Sequence, residues 1–276
     1  MKKCMYNALI IIFAAVFVVS AGLLAWYYID SGVQSNRYED LSQLRGTQPS
    51  RPIPTEPADD ETIPAPAPTE PATVEITDPK TGEKRTILKQ FEILYSLNTD
   101  LVGWITIPGT AIDYPVMHAP DRTDYYLKRN FDKEYSQRGC LYIREVCDVF
   151  TPTDNITIYG HRMRDGSMFA RLDKYMDQAY YEENSYLFFD TLEQQHTYQI
   201  MAVFLTTATV GEGFSYHEFV DAADEAEFDA FVDECQRLSL YDTEVDAQYG
   251  DKLITLSTCE YSQTNGRLVV VAKRVT

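Results

Sequence analysis

Between Ala8 and Tyr28 the chain carries no charged residue. A helix needs about 20 consecutive apolar residues to cross a bilayer, and this run supplies them. The 276 residues therefore cannot all belong to one water-soluble core. Lys2 and Lys3 precede the run and Asp30 follows it. Positive charge stays on the cytoplasmic side. Residues 1–7 are expected in the cytoplasm, residues 8–28 across the membrane, and everything after Asp30 outside. A cleaved signal peptide is the competing reading, with Ser20-Ala21-Gly22 as its cleavage region. The apolar run continues through Leu23, Leu24, Ala25 and Trp26, beyond a usual signal core, which favours a retained anchor.

From Gln48 to about Lys80, Pro, Thr, Glu, Ala and Asp dominate, and Pro54-Thr55-Glu56-Pro57 recurs as Pro68-Thr69-Glu70-Pro71. Such a segment has too little apolar side chain for a core, and its prolines favour an extended backbone. Residues 29–80 are expected to be an extracytoplasmic stalk and residues 81–276 the folded domain.

Within that domain short apolar runs alternate with turn residues. Strands are expected at Val102–Pro108, Ile112–Met117, Gly139–Ile143, Asn155–Tyr159, Tyr186–Asp190, Thr197–Thr207, Lys252–Thr258 and Arg267–Val275. Helical spacing predicts an amphipathic helix over Ile87–Leu97, a short one over Ser167–Tyr175, and an acidic one over Phe219–Leu238. Many short strands with a few helices inserted predict a mainly β fold, a barrel with peripheral helices.

The formal net charge of -18 argues against a nucleic-acid partner, since phosphate binding needs clustered Lys and Arg. The cysteines Cys4, Cys140, Cys147, Cys235 and Cys259 have no zinc-type spacing and no C-x-x-C pair. Buried free thiols are expected at the positions other than Cys4 and Cys259. The sequence contains no glycine loop for phosphate, so no metal or organic cofactor is expected.

The chemistry points to the C-terminal region. Ile254 to Cys259 is an apolar strand ending in a thiol, and Arg267 opens the next strand after the turn at Asn265-Gly266. A thiol there can act as nucleophile, and a fixed guanidinium beside it can hold a substrate oxygen. Upstream, Ile156 to Gly160 ends a strand in His161, which opens the polar loop Arg162–Gly166 and suits a proton carrier. His118 also ends a strand and is its rival; His196 and His217 have polar neighbours and are expected at the surface.

Thr255-Leu256-Ser257-Thr258-Cys259 followed by Arg267 resembles the signature of the sortases, cysteine transpeptidases of Gram-positive cell surfaces. Tyr159-Gly160-His161 is similar to the family's histidine strand end, and Gly103-Trp104-Ile105 and Tyr114-Pro115-Val116 to its opening strands. The resemblance runs from about Leu88 to the C-terminus. It implies a closed sortase-type β-barrel of about eight strands. A helix before the first strand, a long helix before the cysteine strand and Ser257 in the signature resemble class B. Asp78-Pro79 is followed by Lys80, so the aromatic lid of class C is not supported. Arg144-Glu145 departs from the family pattern, where relatives often carry a small residue and then an aspartate.

The resemblance implies an anchored enzyme in which Cys259 is the nucleophile, His161 the general acid and base, and Arg267 the oxyanion or substrate-positioning group. The backbone amide of Glu260 is a further oxyanion donor. Ser257, Thr258, Tyr261 and Asn155 are pocket candidates, with Ser257 preferred because it shares a strand face with Cys259. Substrate specificity is expected in the loop between Thr207 and Phe219. The implied partners are surface proteins with a C-terminal sorting signal and a peptidoglycan amine. The alternatives are a pilin-polymerising sortase using a lysine acceptor, a cysteine protease or peptidoglycan hydrolase, and a non-enzymatic anchored surface domain.

Overall fold

The structure is a computed structural model and describes residues 2–46, 51, 71–209 and 211–276. The chain forms two compact units, Met1–Asp40 and Leu41–Thr276. The first is helical. Helix α1 spans Lys2–Arg45, and its window Met5–Gly22 is long and apolar enough to cross a membrane. A signal sequence passes the same test of length and composition.

The stretch expected as stalk differs at both ends. Residues up to Arg45 are helical, as part of α1. Thr73–Thr77 forms strand β1, paired antiparallel with β2, Lys84–Leu88. Val74 and Ile76 alternate with exposed neighbours, the period of a half-covered strand. Residues 52–70 lie outside the described residues. The helix expected over Ile87–Leu97 is shorter than its apolar spacing suggested. Ile87 and Leu88 close β2, a 3-10 turn covers Lys89–Phe91, and α2 holds only Glu92–Leu97. Ile87, Leu88, Phe91, Leu94 and Tyr95 are all buried nonetheless. Pairing with β1 captures the first two residues of the pattern.

The remaining strands are β3 (Leu101–Thr106), β4 (Asp113–Met117), β5 (Leu141–Ile143) and β6 (Asn155–Tyr159). Helix α3 (Gln178–Glu183) precedes β7 (Tyr186–Thr191) and β8 (Thr197–Thr207). Helix α4 (Glu225–Leu238) precedes β9 (Leu253–Cys259) and β10 (Gly266–Arg274). β3 to β10 close a barrel of eight strands in the order β10-β8-β7-β3-β4-β5-β6-β9. β4 with β5 and β6 with β9 are parallel, and the other neighbours are antiparallel.

Alternation along β9 and β10 separates two buried faces. Leu253, Val269 and Val271 join Met201 and Phe204 beneath Phe228, Phe231, Val232 and Cys235 of α4. Ile254, Leu256, Leu268 and Val270 alternate with that face, turn to the barrel interior, and are almost fully buried. Helix α4 starts at Glu225 rather than Phe219 because the Asp224 side chain accepts from the Glu227 amide at 3.0 Å and caps it. Phe219 still stacks on Phe231, ring centroids 4.0 Å apart, from outside the helix.

Candidate active site

Two strand registers assemble the site from three strands. β6 and β9 run parallel with Tyr159 beside Ser257. Two residues further along each strand stand His161 and Cys259. β9 and β10 run antiparallel with Cys259 directly opposite Arg267. Paired residues share a sheet face, so the thiol lies on the α4 side, between the imidazole strand and the guanidinium strand. Gly160 permits the approach: a Cβ there would stand 2.4 Å from Leu141 and 2.6 Å from Phe169.

His161, Cys259 and Arg267 line one cleft of about 420 Å³. Ser257, Thr258, Tyr159 and Gly160 line it from the same strand ends. One wall is Thr123, Asp124 and Leu127 with Tyr142, Arg144 and Glu145; the other is Ala208, Tyr216 and His217. The second wall belongs to the loop between Thr207 and Phe219. It is tied down twice. The Tyr216 hydroxyl and Ser257 Oγ are 2.6 Å apart, and Arg144 donates from Nη1 to the His217 carbonyl.

The ring of His161 is held at one end. Its Nε2 lies 2.7 Å from the Leu127 carbonyl oxygen. A carbonyl only accepts, so Nε2 carries a proton, and the neutral ring keeps Nδ1 as its basic nitrogen. Arg267 Nη1 donates to the carbonyls of Asn265 and Gly266, at 3.2 and 3.0 Å. Among the described residues the other donors of its fork have no hydrogen-bond partner, which leaves them for an oxyanion. The expected Glu260 donor is not spare: its amide gives its proton to the Gly266 carbonyl at 2.9 Å. The turn that delivers Arg267 uses that amide for its own closure.

Ser257 meets Tyr216, while Thr258 donates from Oγ1 to the Gly160 carbonyl at 2.8 Å. The Thr258 bond joins the cysteine strand to the histidine strand. Asn155 is not at the cleft. It is fully buried at the far end of β6, where Thr255 Oγ1 donates to its Oδ1 and its Nδ2 donates to the Phe219 carbonyl. Tyr261 is 71% exposed, with its ring 5.5 Å from the Arg162 guanidinium, and does not line the cleft.

The histidines sort differently from their sequence neighbourhoods. His118 is half-buried with Nε2 3.2 Å from the carbonyl of Glu145 and does not itself line the thiol's cleft. His196 is buried, and burial with the nearby Arg274 pushes its pKa down to about 4. His217 lines the cleft, and burial with Arg144 lowers its pKa. The neighbours of His196 and His217 are polar, but tertiary packing covers both rings. Burial raises the Tyr216 phenol, and Arg267 acts against that rise. Cys140, Cys147 and Cys235 are buried and form no disulfide among the described residues. Among the described residues, no group of three or more His, Cys, Asp or Glu is placed to hold a metal ion.

A thiol, an imidazole with one free basic nitrogen, and a guanidinium with spare donors can together run acyl transfer. The chain is similar to known proteins in sequence and in fold. The sequence profile of the family described as "Sortase domain" matches residues 105–275. Sortase B of Staphylococcus aureus is 33% identical over 186 residues, covering 67% of this chain and 74% of the relative. The crystal structure of sortase B from B. anthracis in complex with AAEK1 superposes with a TM-score of 0.69. It is 28% identical and covers 90% of this chain and 99% of that one. A Staphylococcus aureus sortase B–substrate complex gives a TM-score of 0.63 at 32% identity, covering 69% and 86%.

Proposed function

Because this chain belongs to the sortase family and is a cysteine transpeptidase of the class B kind, we propose a specific reaction for it. Cys259 cleaves a C-terminal sorting motif after threonine and passes the protein to a peptidoglycan amine. The observation that carries this reading is the shared register of β6, β9 and β10, which sets His161 and Arg267 on either side of Cys259. The S. aureus relative solved as a substrate complex supports a peptide substrate.

The Cys259 thiol gives its proton to Nδ1 of His161, and the thiolate attacks the threonine carbonyl carbon while the carbonyl electrons move to oxygen. Arg267 holds that oxyanion. The oxyanion collapses, the peptide C–N bond breaks, and His161 gives its proton to the departing amine. The product is a thioester on Cys259. The acceptor amine then loses a proton to His161 and attacks the thioester. The second collapse forms the new amide and returns the thiolate. No step needs an oxidant, a metal or a cofactor.

Helix α1 supports a membrane anchor, with Lys2 and Lys3 on the cytoplasmic side and the barrel outside. The proposed localisation is a single-pass membrane protein with an extracytoplasmic catalytic domain.

Incubation with a library of candidate sorting peptides and an amine, read by mass spectrometry, tests the reaction. An amide-linked product is expected, and Cys259→Ala should abolish it. Hydrolysis without any amide product would replace this reading with that of a protease.

A further inference from the structure

The segment after the catalytic imidazole is held by a cation from another part of the chain. Arg138 has a side chain only 3% exposed, although its partner Asp165 is 37% exposed. Its Nη2 donates to Asp165 Oδ2 at 2.7 Å, and its Nη1 donates to Ser167 Oγ at 2.6 Å. Ser167 in turn donates from its amide and its hydroxyl to Asp165 Oδ1, at 3.0 and 2.6 Å. These contacts close the loop that begins at His161. The loop's ends meet where the Phe169 amide donates to the His161 carbonyl at 3.0 Å and Arg162 bridges to Met168. Met168 sits at φ +56°, a left-handed backbone that a methionine adopts only under constraint.

The same short segment also sets the carbonyl that orients the ring. Gly139, next to Arg138, has φ +59°, and a Cβ there would stand 2.5 Å from the Leu127 carbonyl oxygen. The Cys140 amide donates to the Tyr126 carbonyl at 3.1 Å, and the Ser136 amide to the Lys128 carbonyl at 3.1 Å. Residues 136–140 thus pack along the turn that presents Leu127 to His161 Nε2. One segment touches both supports of the imidazole: the loop behind its backbone and the acceptor in front of its ring. A buried guanidinium is costly to desolvate and gives little net stability even when paired. Its place here is explained by geometry.

We propose that Arg138 is a positioning residue for His161, fixing the ring's Nε2–H tautomer and its approach to Cys259 through Asp165, Ser167 and the Leu127 turn. The kinetic part of this proposal rests on the acyl-transfer reading above; the tautomer part does not. A misplacement of about 1 Å can cost a hundredfold in rate.

The test uses the full chain as Arg138→Gln, Arg138→Lys, Asp165→Asn and Ser167→Ala. Histidine-labelled protein is read by ¹⁵N NMR in the neutral form of His161, its signals assigned by their loss in His161→Gln. Wild type should show one Nε2–H tautomer. Arg138→Gln and Asp165→Asn should show a mixture of tautomers, with kcat lower by about ten- to a hundredfold and KM for the sorting peptide little changed. Arg138→Lys keeps one donor and should retain more of the rate. If Arg138→Gln does not fold, the surface-side variants Asp165→Asn and Ser167→Ala decide the matter. A wild-type tautomer and wild-type kcat in those variants would overturn the proposal. If wild type makes no amide product while the tautomer still shifts in the variants, the functional reading falls and the brace stands.

Discussion

At the scale of single residues, one protein nitrogen is committed before substrate arrives. His161 spends Nε2 on a backbone carbonyl, so proton traffic with Cys259 must pass through Nδ1. A carbonyl partner is acceptor-only and cannot switch roles. Both the neutral ring and the imidazolium keep the same orientation. The other buried histidine has the opposite effect. His196 has its pKa pushed from 6.5 to about 4, so the folded chain resists protonating it while the unfolded chain accepts the proton. Its contribution to stability is present above pH 6.5 and drains away as pH falls towards about 4. The melting temperature of wild type should fall across that window, and His196→Gln should flatten the fall. A slope unchanged by the substitution would reassign the acid sensitivity to the carboxylates.

At the scale of elements, the wall of the cleft depends on a hydroxyl pair. Tyr216 and Ser257 bond across a buried gap between the β8–α4 loop and β9. Tyr216→Phe leaves the Ser257 hydroxyl buried without that partner, at a cost of about 1–3 kcal/mol. Chemical denaturation should report the loss, and KM for the sorting peptide should rise as the wall loosens. The rate of thiol labelling at Cys259 should stay near wild type; a matching drop in labelling would mean the wall supports the nucleophile as well. Elements of this kind were unevenly legible in the sequence. Asn155–Tyr159 alternates apolar and polar residues, Thr197–Thr207 contains a continuous apolar run from Ile200 to Leu205, and the strands match those limits. The meeting of Cys259, His161 and Arg267 at one cleft was legible because the proposed roles need particular side chains at strand ends. The Leu127 contact was not, since every residue carries a carbonyl and only the register of distant segments selects one. His217 misled because Ser215 and Glu218 signal solvent locally, while Arg144 from another strand holds that segment over the cleft. Asn155 was placed on the correct strand, but at the end remote from His161.

At the scale of the whole molecule, α1, the proposed anchor, and the catalytic domain make separate demands. With α1 intact the chain should partition into the detergent phase on cloud-point extraction, and a chain starting at residue 29 should stay in the aqueous phase. External protease on intact cells should reach the barrel but leave the first residues protected. Recovery in the aqueous phase of a chain shortened at its N-terminus would point instead to a removed signal sequence.

Barrel closure has a consequence in time. β9 and β10 stand between β6 and β8, and they are the last elements in chain order. Until that hairpin inserts, the sheet is open, with β6 and β8 as raw edges. The partner of His161 is then missing, and so is the guanidinium. The thiol and the imidazole lie about a hundred positions apart in sequence and meet only through a parallel pairing, the slowest kind to form. The nucleophile is therefore armed by the same event that seals the barrel. Until then the chain carries a cysteine but not yet an assembled site.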